Sequence, residues 1–377
     1  MRRRVWLVVE SGTDVRLVEG LAERADVTVL ARRIAGGVEI SRPPAHAVPI
    51  TVGPASRLRF AGLVWRRLRR ECRAEDRVLV QNYGPAALAA NLAARVTRAP
   101  TYMLVCSPTE RYYACRRAHP LPGKPFRARE LAGLEGLAWL NARLGRHYIV
   151  LSEHLAGVVR GHGARCPVSV VPVYGVDTGI FRPPSVARAA CRRARGLPAT
   201  GDLVFFSSRI APEKDGETLL AAVRELRARG RDLWLLHRSG GFQTLRSYAE
   251  RYGVADRVIA SDAAHPLTEL PLDYQAADLC VQASREEGLG FSPLEALACE
   301  TPVVAAAVGG LTETIVDGET GWTYPVGDAA ALARAIEQAL SQPGEAARRA
   351  RAGRRMVGAR FERRQVFDRL MALLEAA

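Results

Sequence analysis

Residues 284–304 read Ser284-Arg-Glu-Glu-Gly-Leu-Gly-Phe-Ser-Pro-Leu-Glu-Ala-Leu-Ala-Cys-Glu-Thr-Pro-Val-Val304. Ser292 suits a helix N-cap, Pro293 the first helical position and Val303-Val304 the next buried strand, so the stretch predicts loop, helix, turn and strand of an α/β domain. Glu287 then falls on the loop and Glu295, eight positions on, in the first helical turn. Unpaired backbone N–H groups at such a helix entry favour anions. Glu295 has a second reading, because Ser292-x-x-Glu295 is also a capping box in which the glutamate only satisfies the N-cap amide. Glu287 taken alone is an ordinary solvated loop acid.

Outward from this stretch, apolar runs alternate with helical patterns along the whole chain. Strands are expected at 5–9, 27–30, 78–81, 101–106, 147–151 and 168–173, then at 203–207, 233–237, 257–260, 279–282 and 303–307. That alternation predicts parallel sheets with helices on both faces. A Pro-rich stretch at 172–184 and a basic helix around 186–195 separate the two series, and 377 residues exceed what one core usually supports. The division expected is residues 1–178, 179–358 and a closing amphipathic helix over 359–377.

Composition limits the alternatives. No run of 18 apolar residues is present, so a spanning helix is not expected. Met1-Arg-Arg-Arg is followed by only five apolar residues before Glu10, which reads as a first strand rather than a signal peptide. Seven cysteines without a Cys-x-x-Cys pair suggest reduced thiols in the cytoplasm and no zinc site. Cys280 and Cys299 lie in apolar stretches and are expected in the core.

Two further segments carry chemistry: Leu203-Val-Phe-Phe-Ser-Ser-Arg209-Ile-Ala-Pro-Glu-Lys214-Asp and Val308-Gly309-Gly310-Leu-Thr-Glu-Thr-Ile-Val-Asp-Gly-Glu-Thr-Gly321. Together with the Glu287/Glu295 stretch they resemble the retaining glycosyltransferases of family 4 over roughly residues 148–325. The resemblance implies an α/β fold of two facing Rossmann-like domains (GT-B), with a C-terminal helix crossing back to the N-terminal domain. It implies that Arg209 and Lys214 hold the donor diphosphate, that Glu287 contacts the transferred sugar and that Glu295 contacts the ribose hydroxyls. The helix entry Gly288-Leu289-Gly290-Phe291 would add backbone N–H groups, as would Gly309-Gly310. Lysine usage argues independently for Lys214, since only Lys124 and Lys214 among 54 basic residues are lysine. A lysine ammonium meets phosphate as a point charge, whereas Arg209 can fork across two oxygens.

The chain also departs from the family pattern. After the first strand the loop Glu10-Ser-Gly12-Thr-Asp14 has one glycine where many members have a pair. Gly12 still allows close approach of a phosphate, or is an ordinary turn glycine. The family histidine that contacts the donor sugar is replaced by Cys106. His119, in a Pro-rich loop that also holds Lys124 and reads as an acceptor-side flap, is no evident substitute. His237-Arg-Ser-Gly240-Gly241 only partly matches the expected glycine-rich turn, and Ser261-Asp262 lacks the glycine usual at the nucleobase contact.

Charge is uneven. Residues 1–180 carry 28 basic against 14 acidic side chains, while residues 181–377 carry 26 against 25. The densest cations lie in Arg57–Arg73, interleaved at helical spacing with Leu58, Phe60, Leu63, Val64, Trp65 and Leu68. Such a helix packs by its apolar side on the domain or lies on an anionic membrane surface, peripheral on the inner face. Nucleic acid is not an expected partner, because no recognition-helix, zinc-finger or aromatic RNP pattern accompanies the basicity.

The function implied is transfer of a hexose-type sugar from a nucleotide diphosphate sugar, a UDP-sugar by family frequency with GDP-mannose next, to an acceptor hydroxyl. No permanently bound cofactor is expected. The acceptor class is a glycan, a lipid-linked or otherwise acidic molecule, or a natural product of a high-GC bacterium. Cleavage leaves a cation-like sugar and a diphosphate gaining charge, which Arg209, Lys214 and the helix entries neutralise with no metal. Retention implies same-face attack with a phosphate oxygen taking the acceptor proton; a covalent glycosyl-Glu287 is the competing route. A nucleotide-sugar epimerase or phosphorylase of the same fold, and a non-catalytic nucleotide-sugar binder, are the other readings.

Overall fold

In a computed structural model, residues 3–34, 37–38, 40, 44, 47–120, 128–261 and 269–376 are described. Lys124 and Asp262 lie outside them, as does most of the Pro-rich loop. The chain divides into two compact units. One comprises Met1–Tyr113, Arg127–Gly175 and Arg363–Ala377, and the other Ala114–Phe126 and Val176–Glu362.

The first unit holds strands β1 (Arg4–Val9), β2 (Asp26–Ile34), β3 (Gly37–Val38), β4 (Ile50–Gly53), β5 (Arg77–Gln81), β6 (Thr101–Val105), β7 (His147–Val150) and β8 (Val168–Val170). Their order is β3-β2-β1-β5-β6-β7-β8, with β4 also paired to β2, and only the β2–β3 pair is antiparallel. β1, β5 and β6 are apolar and almost wholly buried, as a parallel sheet covered on both faces requires. β3 and β4 escape the sequence expectation; in β4 only Gly53 is buried, so no buried apolar run marks it.

Helices α1 (Val15–Ala22), α2 (Arg57–Glu71), α3 (Pro85–Thr97), α4 (Thr109–Ala118), α5 (Ala128–Leu144) and α6 (Glu153–Gly161) follow these strands. α4 starts in the first unit, and its residues from Ala114 on group with the second. The arginine-rich α2 is capped by Ser56 and buries Phe60, Val64 and Leu68, packing on α3. Phe60 fills the space over Gly53, where a Cβ would come within 2.4 Å of its ring. The arginines at 57, 59, 66, 69 and 70 stay exposed, as does Leu58. The helix thus packs on its own domain by its apolar stripe.

The second unit has one parallel sheet of β9 (Asp202–Phe206), β10 (Leu233–Arg238), β11 (Val258–Ser261), β12 (Leu279–Gln282), β13 (Val303–Ala306) and β14 (Trp322–Tyr324), in the order β11-β10-β9-β12-β13-β14. Its helices are α7 (Arg188–Ala194), α8 (Gly216–Ala228), α9 (Phe242–Arg251), α10 (Leu270–Ala276), α11 (Phe291–Ala298), α12 (Ala329–Ser341) and α13 (Pro343–Arg360). The core joins Val204, Phe206, Leu219, Leu235, Val281, Val304 and Trp322. Strand order reverses at β9: β10 and β11 lie to one side and β12, β13 and β14 to the other. The crevice beyond the carboxyl ends of β9 and β12 is therefore a topological switch point, where open α/β sheets bind ligands.

The closing helix α14 (Arg363–Glu375) belongs to the first unit. It starts later than the expected 359, because α13 runs to Arg360 and the chain breaks at Phe361-Glu362. Phe367 is fully buried over Gly20, whose absent Cβ would stand 2.1 Å from the ring. The Leu374 carbonyl accepts Arg77 Nε at 2.6 Å, and Arg363 pairs with Glu23 at 2.8 Å.

Candidate functional site

The second sheet's switch point is built by two loops. β9 is apolar throughout its buried residues and ends before Ser207, after which the chain runs through Arg209 into a 3-10 turn over Pro212–Lys214. β12 ends at Gln282 and gives way to the 283–290 loop. Lys214 Nζ donates to Glu287 Oε2 at 2.5 Å, with both side chains mostly buried. The same oxygen accepts Gln282 Nε2 at 3.1 Å and Ser284 Oγ at 3.2 Å. Gln282 Oε1 in turn accepts Ser208 Oγ at 3.0 Å, which ties the ends of β9 and β12 together. A lysine and a glutamate 73 residues apart thus meet in a polar cluster of fixed geometry.

Glycines set the position of Glu287. Gly309 has φ +54°, and a Cβ there would stand 2.1 Å from the Glu287 carbonyl oxygen. A Cβ on Gly310 would stand 2.2 Å from the Gly288 carbonyl, and Gly310 N donates to the Glu287 carbonyl at 3.0 Å. The Gly309-Gly310 turn is therefore pressed directly on the backbone of the 287–288 loop. Gly290 has φ +90° and is the N-cap of α11.

That cap corrects the expectation for Ser292. α11 begins at Phe291, so Ser292 and Pro293 lie inside its first turn and Ser292 is not the N-cap. The left-handed conformation at Gly290 turns the chain into the helix two residues early, a step that glycine takes at no steric cost. Glu295 is 4% exposed and accepts a hydrogen bond from Tyr274 Oη at 3.0 Å. Tyr274 is itself 3.1 Å from Ser207 Oγ. Burial, and then the charge of Glu295, push the Tyr274 phenol well above its usual range, so it stays a neutral donor.

Arg209 does not contact the Lys214–Glu287 pair through any hydrogen bond described; it reaches Glu213 Oε1 through Nη2 at 2.9 Å. Glu213 is fully buried and also takes both arms of Arg116, at 2.6 and 3.0 Å. Sequence reasoning passed over Glu213, Arg116, Gln282, Ser284 and Tyr274. Glu213 carried the one available signal, as an acid held between the two singled-out cations. Burial pushes the Glu213 carboxyl up, but the hydrogen bonds and charge of Arg116, with the charge of Arg209, outweigh it and hold it below the usual carboxylate range. A depressed folded pKa adds stability that is present above the unfolded value, about 4.3 for a glutamate, and lost as pH falls through the folded value. Acid melting curves should therefore steepen below about pH 4, and Glu213→Gln should remove that part of the pH dependence.

Arg285 Nη2 donates to Asp215 at 2.9 Å, and Asp215, at φ +48°, caps α8 by accepting from Thr218 N. The Gly240-Gly241 turn packs on the same loop: Ile210 N donates to the Gly240 carbonyl at 2.9 Å, and a Cβ on Gly241 would meet the Ile210 side chain. His237 is fully buried at the end of β10, its Nδ1 2.9 Å from the Phe206 carbonyl oxygen. His119 is exposed.

Gly12 belongs to the first unit. It has φ +48° in the turn after β1, and its carbonyl accepts Gln81 Nε2 at 2.9 Å from the neighbouring β5. The first sheet also reverses order between β1 and β5, so this turn stands at its own switch point. Burial pushes the Cys106 thiol up to about 12, which keeps it neutral. Among the described residues no group of three His, Cys, Asp or Glu side chains is arranged to hold a metal ion.

Two parallel Rossmann-like sheets with a returning C-terminal helix define the GT-B fold. Sucrose-phosphate synthase from Thermosynechococcus elongatus superposes with a TM-score of 0.80 over 100% of this chain and 99% of its own, at 21% identity. Anabaena HepE in complex with UDP and glucose superposes at 0.77 over 100% of both chains, at 18% identity. These likenesses speak for fold alone. Residues 188–356 match the family described as Glycosyl transferases group 1, so the second unit carries a domain of that family.

Among curated proteins, the GDP-mannose-dependent alpha-(1-6)-phosphatidylinositol monomannoside mannosyltransferase of Mycolicibacterium smegmatis is 39% identical over 191 residues, 48% of this chain and 49% of that protein. D-inositol 3-phosphate glycosyltransferase of Acidothermus cellulolyticus is 40% identical over 188 residues, 47% of this chain and 41% of that protein. The chain thus spans about half the length of these relatives.

Proposed function

We propose that this protein is a retaining glycosyltransferase of family 4 that moves a hexose from a nucleotide diphosphate sugar to an acceptor hydroxyl. The observation that carries the reading is the Lys214–Glu287 contact at the switch point of a glycosyl transferases group 1 domain. A donor bound there meets a cation suited to its diphosphate and an acid suited to its sugar within one hydrogen-bonded cluster.

As the bond from the sugar to phosphate breaks, negative charge grows on the departing diphosphate. Lys214, Arg209 and the backbone N–H groups entering at Gly288-Leu289-Gly290-Phe291 neutralise it. A departing phosphate oxygen takes the proton of the acceptor hydroxyl, which attacks from the same face. Glu287 supports the cation-like sugar by charge. Three donors already share its Oε2, which weakens that oxygen as a nucleophile and favours the non-covalent route. Gly12, at the first sheet's own switch point, keeps a left-handed turn that lets a phosphate approach its backbone.

Glu295 binds the ribose hydroxyls, held by Tyr274. Glu295→Gln is then expected to raise donor KM severalfold while kcat changes less, in steady-state kinetics. Unchanged KM with lowered stability would instead return Glu295 to a structural role.

The name of the mycobacterial relative puts GDP-mannose beside UDP-sugars as the donors to test first. Both relatives' names carry phosphorylated inositol acceptors, and residues 1–180 of this chain are strongly basic. We therefore favour a phosphorylated or lipid-linked acceptor, met in the cytoplasm at the inner membrane face. No helix among the described residues is long and apolar enough to cross a membrane. The deciding experiment is a thermal-shift screen of UDP, GDP and their sugars, where a ligand at 100 times its Kd adds about 2.7 kcal/mol, followed by a transfer assay with and without anionic vesicles. A protein that none of these nucleotides stabilises would not be this enzyme.

A further inference from the structure

Glu213 offers a single negative charge to two guanidinium groups. Arg116 takes it with a bidentate fork, at 2.6 Å through Nη2 and 3.0 Å through Nε, whereas Arg209 reaches it through one nitrogen at 2.9 Å. All three residues belong to the second unit. The carboxylate is completely buried, while the Arg209 side chain is 56% exposed. The Glu213 backbone is fixed as well, because its carbonyl accepts Arg285 N at 2.9 Å from the loop that leads to Glu287. A bidentate fork is the stronger and more ordered of the two pairings. It satisfies most of the demand of the Glu213 charge, and the Arg209 guanidinium is held by one edge with the rest turned outward.

We propose that Arg116 and Glu213 are a positioning pair for Arg209: Arg116 absorbs the charge of Glu213, so that Arg209 is oriented by that carboxylate and yet remains available to a diphosphate. This rests on the reading that Arg209 meets the donor diphosphate, and deepens it by assigning what sets its strength. Without Arg116, the whole charge of Glu213 falls on Arg209, and an incoming anion must compete with a buried carboxylate. Without both, the competition is gone.

The test is a double-mutant cycle read by calorimetric binding of inorganic pyrophosphate, UDP and GDP, with thermal melting to verify folding. Arg116→Ala, and the milder Arg116→Gln, should weaken pyrophosphate binding about tenfold, within the coupling range of charges that share one hydrogen-bond network. Adding Glu213→Gln to Arg116→Ala should restore it to within about threefold of the wild type. Donor kcat/KM should follow the same pattern. A merely structural role predicts the reverse, since two lesions in one buried cluster would compound. Unchanged affinity in the Arg116 variants, a double variant weaker than the single, or a wild type that binds no pyrophosphate would each overturn the proposal. A wild type that binds pyrophosphate in this pattern but neither UDP nor GDP would remove the nucleotide-donor reading and leave Arg116 and Glu213 only as a positioning pair for an Arg209 that binds diphosphate.

Discussion

Replacing Glu287 by glutamine is expected to lower kcat by about 10²–10³-fold, the range found when one preorganised electrostatic contact to a transition state is lost, with donor KM unchanged or lower. The substitution keeps the shape of the side chain and removes its charge. Lys214 Nζ at 2.5 Å then loses its counter-ion, which leaves the ammonium freer for a diphosphate, so ground-state binding is not harmed. What is lost is the negative charge facing a sugar that becomes cation-like only as the bond breaks, and an interaction made chiefly in the transition state appears in kcat. Steady-state kinetics with a nucleotide sugar decides the matter. A kcat within threefold of the wild type (about 0.7 kcal/mol) would remove Glu287 from the chemistry. A glycosylated Glu287 found by mass spectrometry would replace the same-face route with the covalent one.

The second large effect is expected from Gly309→Ala. Its Cβ would stand 2.1 Å from the Glu287 carbonyl oxygen, and the residue sits at φ +54°. The neighbour is backbone, so no side-chain rotation relieves the clash. Overpacking of this kind and a left-handed conformation each cost about 1–3 kcal/mol, and a loss of stability of about 2–5 kcal/mol is expected in denaturant titration. Relief by movement of the 287–288 loop would displace Glu287 from Lys214, so the folded fraction should also lose kcat. A variant of full stability and activity would mean that the two turns do not bear on one another. Gly318→Ala is the control, because its left-handed φ of +79° carries the conformational strain but nothing stands within 4 Å of the added Cβ.

Much of this molecule is legible in its sequence. The buried apolar strands β1, β5, β9, β10 and β12 announce themselves by composition, and Lys214 stands out as one of two lysines. Glu287 and Lys214 could each be named from the chain. The elements that escape are those whose form depends on neighbours. β14 is three residues long and exists because β13 offers it a ladder, with Val304 to Ala306 opposite Trp322 to Tyr324. The N-cap of α11 moves from Ser292 to Gly290, where a Cβ would stand 2.5 Å from the Leu311 side chain, a contact across some twenty residues that no local capping rule contains. Glu213 is paired with Arg116, 97 positions earlier, a partner that no local pattern contains.

The sequence by itself determined the class of architecture and the division into two series of strands, because periodicity and composition act over neighbours in the chain; the roles of Arg209, Lys214, Glu287 and Glu295 are what a family resemblance implies. Only the tertiary structure decided that Lys214 and Glu287 touch, that Gln282 and Ser284 complete their cluster, and that Arg116 and Arg209 share one buried acid. The Lys214–Glu287 contact and its cluster follow from the order β10-β9-β12 in the second sheet, which lays the loops after β9 and β12 side by side, whereas Arg116 comes from α4. Strand order is set by packing the whole core, and so by contacts that sequence spacing does not encode.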